Sequence, residues 1–498
     1  MSAAVHLLPL SVVLPITAGV LAPALFHRRH NACSWWAITA AALTLATTLT
    51  LVSEALDGGL VRYPVGGWPA PYGIELVFDG LGILMGSAAG LLTLLILIAS
   101  RAFVQTEATP QRHSLFHGLV LINLGGMNGF LAASDLFNLF VFMEVFSISA
   151  YALVALARGP VAALAALKYL IVGAVSSMLV LLAIALLHAQ TGSLNMSDIG
   201  DRLAAAQAPA AAGLALGCLV VGFLVKAAVF PLHFWLPDAH ASAPSPVSAL
   251  LSGLVVKMGI VGLIRTRMLF AEADIFSLVA LDLLLVWLGV AAIVIGAVLA
   301  MIQRELKLML AYSTVTNMGY IALGLGLATP AAVGGALAHM GFHALIKTGL
   351  FLSAGALVLS TGLSRIDDLR GLAQRMPVSS AALTLALLAV AGLPPTAGFV
   401  GKWQIALGAL EAGQPWLIAV VMSGALLTLA WAIRIINSLY FLPPARGQVL
   451  TADEAPLSIR APILMLGLVA MVGGLAGAMV LEWIEPLSFR ILEAGHGH

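Results

Sequence analysis

The sequence predicts an all-α membrane protein of about 14 transmembrane helices, and three observations carry that reading. Hydrophobic residues make up 61% of the 498 and charged residues only 9%, against roughly 25% charged in a soluble domain. Mean hydropathy is +1.06, which suits a chain dissolved in lipid. The apolar residues come in long continuous runs rather than in alternation, which excludes an outer-membrane barrel. A soluble enzyme, a disordered chain and a nucleic-acid binder are excluded with it. The formal charge of +1 offers no field for a polyanion.

A spanning helix needs about 20 apolar residues. Fourteen runs qualify, at 4–26, 35–55, 79–102, 113–133, 137–157, 161–188, 211–230, 247–267, 275–301, 305–327, 332–360, 380–410, 416–442 and 461–481. The first, within MSAAVHLLPLSVVLPITAGVL, lacks a basic leader and an A-x-A cleavage site, so it reads as a retained span. Between spans 2 and 3, RYPVGGWPAPYGIELVFD sets Gly/Pro turns between short alternating runs, which predicts a small hairpin at the membrane surface. Most other connections are short, so neighbouring helices run antiparallel. Only EPLSFRILEAGHGH remains after span 14, and His496 and His498 read as solvated tail. Odd-numbered connections hold Arg28, Arg29, Arg101, Arg112, Arg158, Arg304, Arg365, Arg370, Arg375, Arg446 and Arg460, whereas even-numbered ones hold Arg62, Arg202, Arg265 and Arg267. The positive-inside rule then puts both termini on the outer side of a prokaryotic cell membrane.

The six lysines are placed differently from the arginines. Lys168, Lys226, Lys257, Lys307, Lys347 and Lys402 all lie within or at the edge of apolar spans. Ionisable groups at that depth are costly and point to function. Arginine keeps its charge at any accessible pH, whereas a desolvated lysine can release its proton. Lysine inside and arginine outside therefore suits a chain that moves protons. Snorkelling to the headgroups accounts for Lys307 and competes for Lys168; it does not suit Lys226, Lys257 or Lys347, well inside their spans. Glu144 in span 5 is the matching carboxylate. It either bonds a neighbouring serine or pairs with a lysine from another helix, and the pair would be a switch whose setting depends on distance.

Spans 7 and 12 are broken. The first runs FLVKAAVFPLHFWLPDAHASAPSPVSALL, where Pro231, Pro237, Pro244 and Pro246 cannot share one continuous helix. The second breaks at Gly392-Leu393-Pro394-Pro395, ahead of Lys402. Unwound backbone at membrane depth is tolerated only where protein or a wet cavity surrounds it. Two such breaks, five helices apart and each beside a lysine, predict inverted five-helix repeats. The units are residues 113–268 and 274–442, flanked by 1–112 and 443–498. His339, His343 and Lys347 recur at spacings of four on one helix face. The two histidines suit proton transfer, since histidine titrates near neutrality; neither haem nor metal is expected, for want of further ligands. His233, Asp238 and His240 flank the first break. They either line a half-channel with Lys168 or bond carbonyls freed by the prolines. Cys33 and Cys218 are too few for a disulfide framework, a cluster or a zinc site.

Four stretches, PLHFWLPDAHASAPSPVSALLSG, LKLMLAYSTVTNMGYIALG, HALIKTGLFLSAGAL and GLPPTAGFVGKW, resemble the proton-conducting antiporter-like family. That family includes the L, M and N subunits of respiratory complex I and large subunits of Mrp-type sodium/proton antiporters and membrane-bound hydrogenases. The likeness runs from about span 3 to span 13. VGGWPAPYGIELVFDGLGILM, the absence of a long C-terminal extension, and lysine rather than glutamate at 402 look most like the Mrp D subunit. The resemblance implies a Glu–Lys switch at Glu144 and Lys226, a central carrier at Lys257, a relay at His339, His343 and Lys347, and an exit at Lys402. It further implies a cofactor-free ion-translocating subunit that works among other membrane subunits, exchanging protons for Na⁺. The alternative it leaves open is a proton-pumping subunit of a redox complex. A structural scaffold and a lipid- or quinone-using enzyme fit less well, because a scaffold has little use for two matched breaks and no surface Asp/His/Cys constellation is evident.

Overall fold

The computed structural model describes residues 3–58, 60–107, 112–205, 210–270, 280–444 and 453–493. Arg446, His496 and His498 lie outside the described residues. The helices are α1 (Leu7–Phe26), α2 (His30–Gly58), α3 (Gly80–Glu107), α4 (His113–Ala132), α5 (Leu136–Ala155), α6 (Pro160–Thr191), α7 (Met196–Ala205), α8 (Ala210–Lys226) and α9 (Trp235–Ser242). They continue as α10 (Ser245–Leu269), α11 (Leu281–Ile302), α12 (Leu306–Leu327), α13 (Pro330–Thr361), α14 (Pro377–Ala391), α15 (Ala397–Glu411), α16 (Trp416–Tyr440), α17 (Leu457–Val472) and α18 (Gly477–Glu493).

Among the described residues, 12 helical segments are long and apolar enough to cross a membrane. The shorter apolar helices α8 and α14 are the first parts of the expected broken spans 7 and 12. The predicted hairpin is present. Strands β1 (Val61–Pro64) and β2 (Glu75–Phe78) pair antiparallel, with Val61 opposite Phe78 and Pro64 opposite Glu75. Arg62 and Glu75 meet across them at 3.2 Å.

Helix ends follow the local chemistry. Asp135 caps α5 by accepting from the Asn138 amide at 2.6 Å, and Thr329 caps α13 ahead of Pro330. Such side-chain acceptors satisfy donors that the first helical turn leaves open. α6 and α13 both close on a glycine with positive φ, Gly192 and Gly362.

The structure differs from the sequence expectation in three places. α7 was not expected; it is a short amphipathic helix that buries Ile199 and Leu203. Span 14 does not stop near residue 481. A 3₁₀ turn at Gly473–Ala476 joins α17 to α18, which continues to Glu493 and buries Ile484, Leu487 and Ile491. The expected tail is thus largely helix, because its apolar residues recur at helical spacing. Pro237 does not break a helix either: it lies in the first turn of α9, where a missing amide is harmless.

Burial identifies the centre. Every residue from Ser245 to Ile264 in α10 is buried, and α4, α12 and α13 are mostly buried around it. α2, α6, α16 and the α17–α18 pair present more of their surface outward. Within α10, Leu251–Val255 form a π-helical turn, a widening that tends to accompany functional sites. Close approach is set by small residues. A Cβ placed on Gly401 of α15 would sit 2.5 Å from His339 Cβ of α13, so only glycine allows these helices their separation.

Candidate proton relay

The first break begins immediately after Lys226, the last residue of α8. Ala228 has φ of 51°, a left-handed conformation that costs a residue with a Cβ roughly 1–2 kcal/mol. The chain is held there by the Trp235 indole, which donates to the Val225 carbonyl at 3.0 Å. Lys226 is thereby presented to α5. Its ammonium donates to the Ser147 hydroxyl at 2.9 Å and the Tyr151 hydroxyl at 3.0 Å, and lies 4.0 Å from Glu144 Oε1. Glu144 accepts from the Ser177 hydroxyl of α6. Glu144 thus bonds a serine and stands at the outer limit of an ion pair with Lys226.

Lys257 follows the π-turn and donates to the Ser252 carbonyl. The Ser252 hydroxyl meets Thr314 of α12 at 2.8 Å. Lys347 donates to the Leu310 carbonyl at 2.7 Å and to the Ser313 hydroxyl, both also on α12. One turn further, the Asn317 amide donates to the Ser313 carbonyl at 2.6 Å, and its Oδ1 lies 3.0 Å from His339 Nε2. His339 stacks on His343 with ring centroids 5.6 Å apart. Tyr320 meets His339 edge-on at 5.7 Å, and Lys402 Nζ lies 4.8 Å from the centroid of the Tyr320 ring. Lys402 donates to the Val390 and Ala391 carbonyls at 2.8 and 3.1 Å. These are carbonyls that the second break leaves free.

The structure thus brings Lys347, His339 and Lys402 directly onto the polar face of α12, with Lys257 one step away through Ser252 and His343 one step away through the His339 ring. Lys257, Lys347, His339 and His343 are buried to 1% exposure or less, so each polar contact is decisive. Lys168 is elsewhere. It pairs with Asp238 at 2.7 Å on a half-exposed side face. His233 packs between the rings of Phe230 and Tyr312. His240 stacks on Phe351 at 4.7 Å, and neither of its ring nitrogens meets a hydrogen-bond partner among the described residues. Bonding to freed carbonyls does not account for it. Pro231 lies in the first break and Pro394 and Pro395 in the second.

Sequence reasoning missed Ser147, Tyr151, Ser177, Ser313, Thr314 and Asn317. The signal was available in AYSTVTNMGY, where Ser313, Asn317 and Tyr320 recur at helical spacing on one face. Asn317 has a further effect. Its amide nitrogen is committed to a backbone carbonyl, so its oxygen faces His339 and His339 must donate from Nε2. His339 Nδ1, which meets no partner among the described residues, is left as the acceptor. Asn317→Leu is expected to leave assembly intact, reduce proton flux several-fold and change its pH profile. An unchanged profile would show that the tautomer of His339 does not matter.

Residues 133–428 match the family described as "NADH:quinone oxidoreductase/Mrp antiporter, TM". The chain is 38% identical to NADH-quinone oxidoreductase subunit N of Desulforudis audaxviator (strain MP104C), over 96% of this chain and 97% of that protein. It is 29% identical to the D subunit of the Na(+)/H(+) antiporter of Bacillus subtilis (strain 168), over 90% of this chain and 88% of that protein. Likeness to an antiporter D subunit thus stands beside a higher identity to an oxidoreductase N subunit. Among solved structures, the chain is similar to one in the Mrp complex from Dietzia sp. DQ12-45-1b, with a TM-score of 0.88 at 26% identity, covering 100% of both chains. By sequence and by fold, the chain belongs to the family of membrane subunits shared by NADH:quinone oxidoreductases and Mrp antiporters.

Proposed function

We propose that the chain carries protons across the membrane within a hetero-oligomeric assembly, and that the assembly exchanges them for Na⁺. The observation that carries the reading is the polar face of α12. It hydrogen-bonds, in order along the helix, to Lys347, to the Ser252 hydroxyl beside Lys257, and to His339. A proton on any one of these groups has a next acceptor within a short side-chain movement. At the entry, Glu144 and Lys226 stand 4.0 Å apart with hydroxyls around them. Closing that gap makes a charge-assisted hydrogen bond that keeps the proton on Lys226. Opening it leaves Lys226 on neutral oxygens, and the proton can pass to Lys257, the helix α13 groups and Lys402. Residues 113–268 and 274–442 act as inverted repeats, each supplying one half-channel beside its break, with both chain termini on the outer face. Lys168, His233, Asp238 and His240 line the approach to the first. The similarity to the antiporter D subunit, and to a chain of the Mrp complex over its whole length, supports Na⁺ as the exchanged ion and membrane subunits as partners.

In vesicles holding the whole assembly, Glu144→Ala and Lys226→Ala are each expected to abolish Na⁺-dependent collapse of a proton gradient. Full activity in both would sink the relay. A second reading is favoured by the 38% identity to the oxidoreductase N subunit: the same relay serving a redox-driven pump. Mass spectrometry of subunits that co-purify in mild detergent separates the two. Companions that bind no flavin or metal cluster support exchange, and electron-transfer subunits support the pump.

A further inference from the structure

A cavity of about 710 Å³ opens beside the hairpin and reaches down to the end of α10. It has room for about twenty water molecules at the volume each takes in the liquid. Arg62, Glu75, Asp198 and Asp201 line its walls, and Asp79 and Arg265 line its inner end. Asp79 is unusually well tied. Oδ2 accepts from Arg265 Nη1 at 2.5 Å and Oδ1 from Nη2 at 2.9 Å. Oδ1 also caps α3 through the Gly82 amide at 2.9 Å, and Nη2 donates in addition to the Leu131 carbonyl at 3.2 Å. The pair is nearly buried, with side-chain exposures of 12% and 9%. Burial alone would push the Asp79 carboxyl up, but the Arg265 charge and its hydrogen bonds outweigh that and hold it below its ordinary value. Arginine keeps its charge at any accessible pH, and the two hydrogen bonds it gives Asp79 favour the ionised carboxylate.

Arg265 stands eight residues beyond Lys257 on the same helix, about 12 Å along its axis. An aromatic layer lies between them. A Cβ on Gly262 would collide with the Phe223 ring, and Phe223 meets Phe130 edge-on at 6.3 Å; both rings are buried. Passing inward, the order is water-accessible cavity, ion pair, aromatic layer, central lysine. A buried ion pair adds little stability relative to apolar packing, whereas a fixed arginine at the mouth of a path repels cations, protons included. We propose that Asp79 and Arg265 form an electrostatic seal that stops protons on Lys257 from escaping directly into this cavity. The proposal rests on the relay reading above. A relay that must move charge sideways along α12 needs the direct way out at its centre closed.

The test uses liposomes holding the whole assembly and a trapped pH-sensitive dye, with a proton gradient imposed but no Na⁺ gradient and no electron donor. Wild-type liposomes are expected to be tight. Arg265→Gln is expected to leak protons several-fold faster, and Lys257→Ala added to it is expected to restore tightness, because the leak runs through that lysine. The double variant Asp79→Asn/Arg265→Gln, which keeps the cap on α3 and leaves no unpaired buried charge, is expected to leak in the same way and serves if Arg265→Gln does not assemble. Assembled variants as tight as wild type would overturn the seal, as would a leak that persists without Lys257. Lys257→Ala alone separates the two claims. If it exchanges normally, the relay itself is wrong; if it is inactive while Arg265→Gln stays tight, only the seal is wrong.

Discussion

Lys257→Arg is expected to lose transport as completely as Lys257→Ala. Lys257 is fully buried in the most enclosed helix of the protein, and its ammonium rests on a backbone carbonyl, that of Ser252. If its task were only to supply a positive charge, arginine would serve, since it keeps that charge under all conditions. Under the proposed relay the task is to release a proton, which arginine does not do. Removing the ammonium leaves the Ser252 carbonyl without that partner, at about 1–3 kcal/mol. That is small beside the packing around α10, as is the overpacking of about 1–3 kcal/mol that the bulkier arginine brings, so both variants are expected to assemble. Native gel migration checks assembly and gradient collapse in vesicles checks transport. Substantial exchange in Lys257→Arg would show that proton release at this position is not required.

Gly401→Val is expected to damage both stability and transport. The first added carbon would meet His339 Cβ at 2.5 Å, the Gly335 carbonyl at 2.8 Å and His339 Cα at 2.8 Å. Two of these are backbone atoms and cannot swing aside, so α15 must move off α13. Overpacking of this kind costs about 1–3 kcal/mol, occasionally more. The displacement would also carry Lys402, the next residue, away from Tyr320 and the carbonyls of the second break. Gly401→Ala is expected to fall between wild type and valine. A detergent thermal melt with parallel transport assays reads both effects, and a valine variant with wild-type melting would mean that the two helices are less tightly joined than the structure has them.

The sequence made some of this legible and not the rest, for physical reasons. The spans and both breaks are local: length, hydropathy and Pro/Gly chemistry settle them wherever the helix packs. The buried lysines are legible because a charge in lipid needs a reason. The polar face of α12 was missed because hydroxyls inside helices ordinarily bond a carbonyl one turn back, and Ser313 and Thr314 do bond the Leu310 carbonyl. Only the packing of α12 against α10 and α13 turns them toward Ser252 and Lys347. The pairing of Lys168 with Asp238 was not legible either, because it depends on how α6 is turned toward α9, and composition carries no such rotation. Asp79 and Arg265 are 186 residues apart, and nothing local in either segment announces the other.

The π-helical turn at Leu251–Val255 places a surplus residue inside the most enclosed helix. Such a turn holds one residue more than an α-turn, and the surplus residue can be handed along a helix without unwinding it. Lys257 stands two residues past the turn. Handing the surplus past it would swing the lysine by about 100° around the axis and shift it by about 1.5 Å. Because α10 has protein on every side from Ser245 to Ile264, that swing exchanges one set of neighbours for another and never meets lipid.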